Sequence, residues 1–193
     1  MAASETKTKL MDAAEQQVRH KGADGFSYSD LSQLVGIRKA SIHYHFPTKA
    51  DLLTAIMARY SKRIMTALEG YAQDLPGADQ QLSDFIALYR DALQDGTALC
   101  LCVAYTVSQD SLSEGTHREI AQFRQQVRGW LEETFARAKA EGSVLGVTVP
   151  AHEAAAAYAL VEGAQIAARI SGDPATFDAA TQALRERLIE AKA

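Results

Sequence analysis

The sequence predicts an all-α protein of about nine helices, and three observations carry that reading. Apolar residues recur at three- and four-residue spacing along almost the whole chain. The stripes are separated by Gly, Pro and Asp clusters of the kind that end helices. The only β-like stretch, residues 144–150, stands between two such stripes and reads as a loop.

Taken in order, Leu10, Ala14 and Val18 form a first stripe that stops at Gly22 and Gly25. Two short helices fill residues 29–46. A long helix runs from Thr48 to about Asp74 on Leu52, Ile56, Tyr60, Ile64 and Leu68, and Leu75-Pro76-Gly77 breaks it. Leu82, Phe85, Ile86, Leu88 and Tyr89 make the next helix, which is expected to end near Gly96. A short apolar piece covers Leu99 to Val107. Gly115 separates it from a long helix on Ile120, Phe123, Val127, Leu131 and Phe135 that lasts to Gly142. Helices 151–170 and 175–189, divided by Gly172-Asp173-Pro174, close the chain. Beyond Ala154–Ala157 there is no low-complexity tract, and there is no internal repeat.

With 193 residues and 47% hydrophobic content, the chain can bury a sizeable core and is too apolar for disorder. No apolar run reaches the ~20 residues of a membrane span, and the N-terminus lacks the apolar core of a signal peptide. Two cysteines at 100 and 102 make no disulfide framework, so a reducing cytoplasmic location is expected. The net charge of −4 argues against a nucleic-acid partner until it is resolved by position. Residues 1–60 carry eight basic and six acidic side chains, and the rest carries twelve against eighteen. A mildly basic head on an acidic body is the pattern of a chain with two tasks.

The most informative stretch is Ser29 to Phe46. Leu31, Leu34 and Val35 are expected to bury one short helix, and Gly36 falls where the turn needs a left-handed residue. Ile37 fills the angle. Ile42 and Phe46 bury a second helix whose other face carries Arg38, Lys39, Ser41, His43, Tyr44 and His45. Pro47 ends it, and Thr48 with Asp51 forms the cap of the next helix. This is a helix-turn-helix whose second helix suits a DNA major groove.

Phe26 through Leu52, with Gly36, Tyr44, His45, Phe46, Lys49 and Leu52 in place, resembles the N-terminal DNA-binding domain of the TetR family of transcriptional regulators. Two departures are visible: Ser32 stands where the family usually has Ala, and Arg38 where Ser or Thr often starts the recognition helix. The resemblance implies a helix-turn-helix domain at residues 1–50 and an effector-binding and dimerisation domain at 51–193. It implies a homodimer that reads a palindromic operator in double-stranded DNA, most often as a repressor. Tyr44 and Lys49 match the family's phosphate-contacting positions. Ser27 and Ser29 can add hydroxyl or amide contacts to phosphate, while Arg38, Lys39, Ser41 and His43 are expected at base edges.

In the body, the resemblance implies that the last two helices form a dimeric four-helix bundle. Ala157, Val161, Ala164 and Ala168 form one candidate face, and Phe177, Ala180, Leu184 and Leu188 a second, although an intramolecular core has the same pattern. A small-molecule pocket is expected among Met57, Tyr60, Phe85, Tyr89, Tyr105, Phe123, Trp130 and Tyr158. Cys100, near a helix start, is similar in position to a cysteine in a branch of the family that senses electrophiles, oxidants or small unsaturated acids. No cofactor is implied. His43 and His45 point about 200° apart on a helix and cannot share a metal ion. The alternatives are a thiol enzyme built on Cys100, which lacks a recognisable base, and a helical adaptor, against which the Tyr44–Lys49 run counts.

Overall fold

The structure is a computed structural model that describes residues 3–75, 77–106 and 108–189. Among the described residues there are nine α-helices and no strand. They are α1 (Ala3–Lys21), α2 (Tyr28–Val35), α3 (Lys39–His45), α4 (Lys49–Asp74), α5 (Ala78–Asp91), α6 (Leu101–Thr106), α7 (Glu114–Glu141), α8 (Pro150–Ser171) and α9 (Ala175–Arg185). A 3-10 turn at Gln109–Ser111 precedes α7. Pro76 and Val107, which the sequence placed at a break and at the end of an apolar piece, lie outside the described residues.

The chain divides into two compact units. The first holds residues 1–62 and 100–122: α1 to α3, the beginning of α4, α6 and the beginning of α7. Its core is built by Leu10, Ala14 and Val18 of α1 with Leu31, Ile42, Phe46, Leu52 and Ile56, all buried as their spacing predicts. Polar contacts join these helices. Arg59 on α4 pairs with Asp12 at 2.7 Å and with buried Glu15 at 3.0 Å, both on α1. Tyr105 on α6 donates its hydroxyl proton to the Leu53 carbonyl at 2.8 Å. Thr54 meets Thr116 hydroxyl to hydroxyl at 2.9 Å.

Gly115 was expected to separate α6 from the long helix. Instead it lies inside the first turn of α7, where a Cβ would come within 3.4 Å of Thr54 Oγ1. The Ser113 hydroxyl accepts from the Thr116 amide and starts the helix two residues earlier than the glycine suggested.

The second unit holds residues 63–99 and 123–193, with the rest of α4 and α7, all of α5, and α8 packed on α9. Leu82, Phe85, Ile86, Phe123, Val127, Leu131, Phe135, Val161, Phe177 and Leu184 form its core. Arg124 makes a two-pronged ion pair to Glu162 at 2.6 and 2.7 Å, and Arg90 pairs with Asp178 at 2.9 Å.

Two helix ends differ from the periodicity. α5 stops at Asp91, because Gln94 and Asp95 take positive φ and turn the chain. α9 stops at Arg185 rather than Ile189, because the following backbone pairs with the loop after α7. Leu145 N–H donates to the Arg187 carbonyl at 2.8 Å, and Ile189 N–H to the Ser143 carbonyl at 2.9 Å. The β-like loop therefore makes one isolated bridge, Val144 to Leu188. Leu188 leaves the helical stripe it was assigned to.

Candidate nucleic-acid interface

The helix-turn-helix is assembled by caps at each joint. Ser27 opens α2 through a reciprocal cap: its hydroxyl accepts from the Ser29 and Asp30 amides, while Asp30 accepts from the Ser27 amide and hydroxyl at 2.7 Å each. The Ser27 hydroxyl, followed by its amide, holds the Asp30 carboxyl below the usual range. Gly36 closes α2 at φ +71°, its N–H on the Ser32 carbonyl at 3.0 Å. Ser32, the departure from the family's alanine, uses its hydroxyl to bond the Ile37 carbonyl at 2.6 Å and so pins the turn. Thr48 and Asp51 form the expected cap of α4, with the Thr48 amide and hydroxyl both on Asp51. Arg38 occupies the cap position of α3 without capping it, as its side chain predicts.

The exposed face of α3 is where the sequence put it. Arg38, Lys39, Ser41, His43 and Tyr44 are all exposed, Tyr44 at 80%. Arg38, Lys39 and Ser41 have no side-chain hydrogen bond or ion pair among the described residues, so their donors face outward. Tyr44 meets only the edge of His45 at 5.2 Å. The two expected phosphate contacts on α2 are more committed. The Ser27 hydroxyl and the Ser29 amide serve the cap, which leaves the Ser29 hydroxyl. Lys49 is half-buried, donating to the Phe26 carbonyl and lying 4.3 Å above the Phe26 ring. Burial depresses its pKa, against the pull of Asp24 and Asp30. An ammonium has three N–H bonds, so two remain beyond Phe26.

One expectation fails. Leu34 is 59% exposed, and only Leu31 carries the inner face of α2. One residue escaped the sequence reading: Tyr28 donates to the Phe46 and Thr48 carbonyls at 3.0 and 2.7 Å, tying α2 to the segment after α3. Nothing in its local spacing signals this, because both partners are backbone atoms about twenty residues away.

The candidate effector residues fall into both units. Met57, Tyr60 and Tyr105 are buried in the first, and Phe85, Tyr89, Phe123, Trp130 and Tyr158 in the second. Four of the latter form a ring cluster: Phe85 stacks on Trp130 at 5.9 Å and tilts against Tyr89 at 4.9 Å, and Tyr89 meets Tyr158 at 6.1 Å. Buried Gln165 donates to the Tyr89 carbonyl at 2.6 Å, and the Trp130 indole N–H to the Leu68 carbonyl at 2.9 Å. Burial raises the Tyr105 hydroxyl far above its ordinary pKa, with Glu15 adding to it.

Cys100 and Cys102 are in no disulfide and stand at 1% and 0% exposure, and Cys100 Sγ accepts from the Val103 amide at 3.4 Å. In the native protein both are expected to react with a water-soluble thiol reagent roughly 100-fold more slowly than in guanidinium chloride, since reaction requires local opening. Rapid native labelling of Cys100 would instead support its assignment as a sensor.

The assigned self-association stripe needs correcting. Ala157, Val161, Ala164 and Ala168 are buried inside the second unit, as are Phe177 and Leu184. The outward face of α8 is also apolar: Ala156, Ala159, Gly163, Ile166 and Ile170 are exposed, the last at 82%. On α9, Ala180 of the assigned stripe is exposed, as are Ala175, Ala179 and Ala183. Each exposed α8 position stands two residues after a buried one, about 200° round the helix.

A capped helix-turn-helix at the head of an all-helical chain defines a class of DNA-binding regulator, and the comparisons with known proteins agree. The chain belongs to the TetR family: residues 10–56 match the family described as bacterial regulatory proteins, tetR family, and residues 78–184 the tetracyclin repressor-like C-terminal domain. It is 31% identical over 126 residues to the HTH-type transcriptional regulator CymR of Pseudomonas putida, a match covering 63% of this chain and 61% of that protein. The HTH-type transcriptional regulator TtgR of P. putida is 31% identical over 55 residues, 28% of this chain and 26% of that protein. A TetR-family regulator of known structure from Agrobacterium tumefaciens superposes with a TM-score of 0.91 at 28% identity, over 97% of this chain and all of its own. The thiol-enzyme alternative finds no support in these relatives, which are regulators. No helix among the described residues is long and apolar enough to cross a membrane.

Proposed function

We propose that the protein is a dimeric transcriptional repressor that holds a palindromic operator through α2 and α3 and releases it when a small apolar effector binds. Residues 1–50 serve DNA binding, and 51–193 serve effector binding and dimerisation. The observation that carries the reading is the outward face of α3, where Arg38, Lys39, Ser41 and Tyr44 project donors into solvent from a short helix held between the capped helices α2 and α4. Arg38, Lys39 and Ser41 read base edges, while Tyr44, Lys49 and the Ser29 hydroxyl hold phosphates.

Dimerisation supplies a second reading head one helical turn away, about 34–36 Å along the duplex. The exposed apolar faces of α8 and α9 support it, since a twofold interface needs a self-complementary patch. Release is assigned to the second unit's aromatic cluster of Phe85, Tyr89, Trp130 and Tyr158, an apolar setting with hydroxyl groups. α4 is one continuous helix from the head to that cluster's unit, so a shift along it couples the two functions. Trp130 is the only tryptophan, so its fluorescence reports occupancy directly.

The test is fluorescence anisotropy with a duplex enriched from a random-sequence pool by the wild-type protein. Lys39→Ala with Tyr44→Ala is expected to weaken binding roughly 10- to 100-fold, through one lost base contact and one lost phosphate contact in each head. Unchanged affinity in that double variant would remove α3 from the interface.

A further inference from the structure

We infer that His43 grips a DNA phosphate as an imidazolium, so that DNA binding takes up one proton per protomer from solvent. The inference rests on the DNA-binding reading and deepens it.

Three observations lead there. The first is position. Ile42 and Phe46 set the inward direction of α3, and at about 100° per residue Tyr44 and Ala40 then centre the outward face, leaving His43 on its flank. That flank adjoins α2, where the His43 ring lies edge-on to Tyr28 at 4.9 Å. Base edges are met by the N-terminal residues of a recognition helix, and His43 sits in the C-terminal half of α3. A flank next to α2 faces the sugar-phosphate backbone.

The second observation is the tautomer. His43 Nδ1 lies 3.1 Å from the Pro47 carbonyl oxygen. A carbonyl only accepts, so Nδ1 carries the hydrogen and donates. In the neutral ring, Nε2 is then a bare lone pair. Phosphate oxygens are acceptors too, so neutral His43 cannot bond them. Contact requires a hydrogen on Nε2 as well, and the doubly protonated ring makes a charge-assisted bond to the phosphate.

The third observation is the electrostatic setting. On α2, the Tyr28 hydroxyl is committed to two carbonyls and stays neutral, because burial, helped by Asp51, pushes its pKa up to about 12. Also on α2, Asp30 is turned to the Ser27 cap. At the start of α4, Asp51 is engaged by Thr48. On α3 itself, Lys39 stands one turn before His43 and is exposed. No carboxylate hydrogen-bonds His43 among the described residues, so the phosphate is the anion that would stabilise its charge. As the complex forms, Nε2 gains one solvent proton, and it returns that proton on dissociation. No covalent bond in the DNA changes.

Because the bound form is the charged one, affinity rises as pH falls through the range where histidine changes charge, pH 5 to 8. The experiment is anisotropy with the enriched duplex at constant salt across that range. Wild type is expected to bind about five- to thirtyfold more tightly at the acid end. His43→Gln keeps an N–H donor that does not titrate, so it should retain binding at the alkaline end and lose most of the slope. His45→Gln should keep the wild-type profile. A flat wild-type profile, or a His43→Gln variant with the wild-type slope, overturns the inference while leaving DNA binding intact. Affinity that rises with pH also overturns it, pointing to neutral Nε2 accepting from a base amino group. If no duplex is enriched at any pH, the DNA-binding reading falls together with it.

Discussion

Replacing Ile166 and Ile170 together with Glu is expected to leave a folded monomer that holds the enriched palindromic duplex at least about 100-fold more weakly than wild type. Both side chains already face solvent, at 44% and 82% exposure, and neither belongs to the buried core, so the substitutions cost the fold little. In a twofold interface each change occurs twice, so four carboxylates would meet near the axis of an apolar patch made of Ala156, Ala159 and Gly163. The loss of DNA affinity follows because two tethered heads gain about 10²- to 10⁴-fold over one.

Light scattering reads the oligomeric state, thermal melting checks that the fold survives, and anisotropy reads the duplex. A variant that stays dimeric puts the interface elsewhere. A monomer that keeps full affinity shows that one head suffices. Val161→Glu is the contrasting case, since it places a carboxylate at a fully buried position on the opposite side of the same helix and is expected to unfold the protein.

Arg59→Ala is expected to destabilise the protein by about 3 kcal/mol, lowering Tm by roughly 6–12 °C for a chain of this size. Arg59 makes two ion pairs of unequal worth. Asp12 is 62% exposed, and a solvent-exposed pair contributes at most about 1 kcal/mol. Glu15 is 4% exposed, so removing the guanidinium takes a charged partner from a carboxylate that water barely reaches. The damage falls where α1 meets α4, within the unit that carries the helix-turn-helix.

A compensating change separates this cause from simple loss of side-chain volume. Arg59→Met with Glu15→Met replaces the pair by apolar groups of similar length and is expected to recover most of the lost stability. Thermal melts of the single and double variants check it. A double variant no more stable than Arg59→Ala would show that packing, rather than the loss of the Arg59 charge beside Glu15, sets the cost.

Much of the architecture was legible because it depends on short-range chemistry. Gly36 was required by backbone geometry between two short helices, and its φ of +71° meets that requirement. Thr48 and Asp51 announced the start of α4 by a spacing that only a helix cap rewards. The buried set of Leu10, Ala14, Val18, Ile42 and Phe46 followed from periodicity alone. The outward residues of α3 followed by subtraction. Side-chain bonds to backbone carbonyls were not legible: Tyr28 on the Phe46 and Thr48 carbonyls, Ser32 on the Ile37 carbonyl, and Lys49 on the Phe26 carbonyl. A carbonyl has no residue-specific signature, so sequence cannot say which side chain will find it.

The same division governs the two ends of the molecule. By itself the sequence determined that this is an all-helical chain with a capped helix-turn-helix at its head, because amphipathic period, caps and turn glycines are local properties of the chain. Only the tertiary structure decided which apolar stripe of α8 is core. Ala157, Val161, Ala164 and Ala168 face inward, while Ala156, Ala159, Gly163, Ile166 and Ile170 face solvent. Both stripes are apolar and both keep helical spacing, so periodicity cannot rank them. The choice is made by what packs against the helix, where α9 and α5 cover one side of α8 and leave the other open.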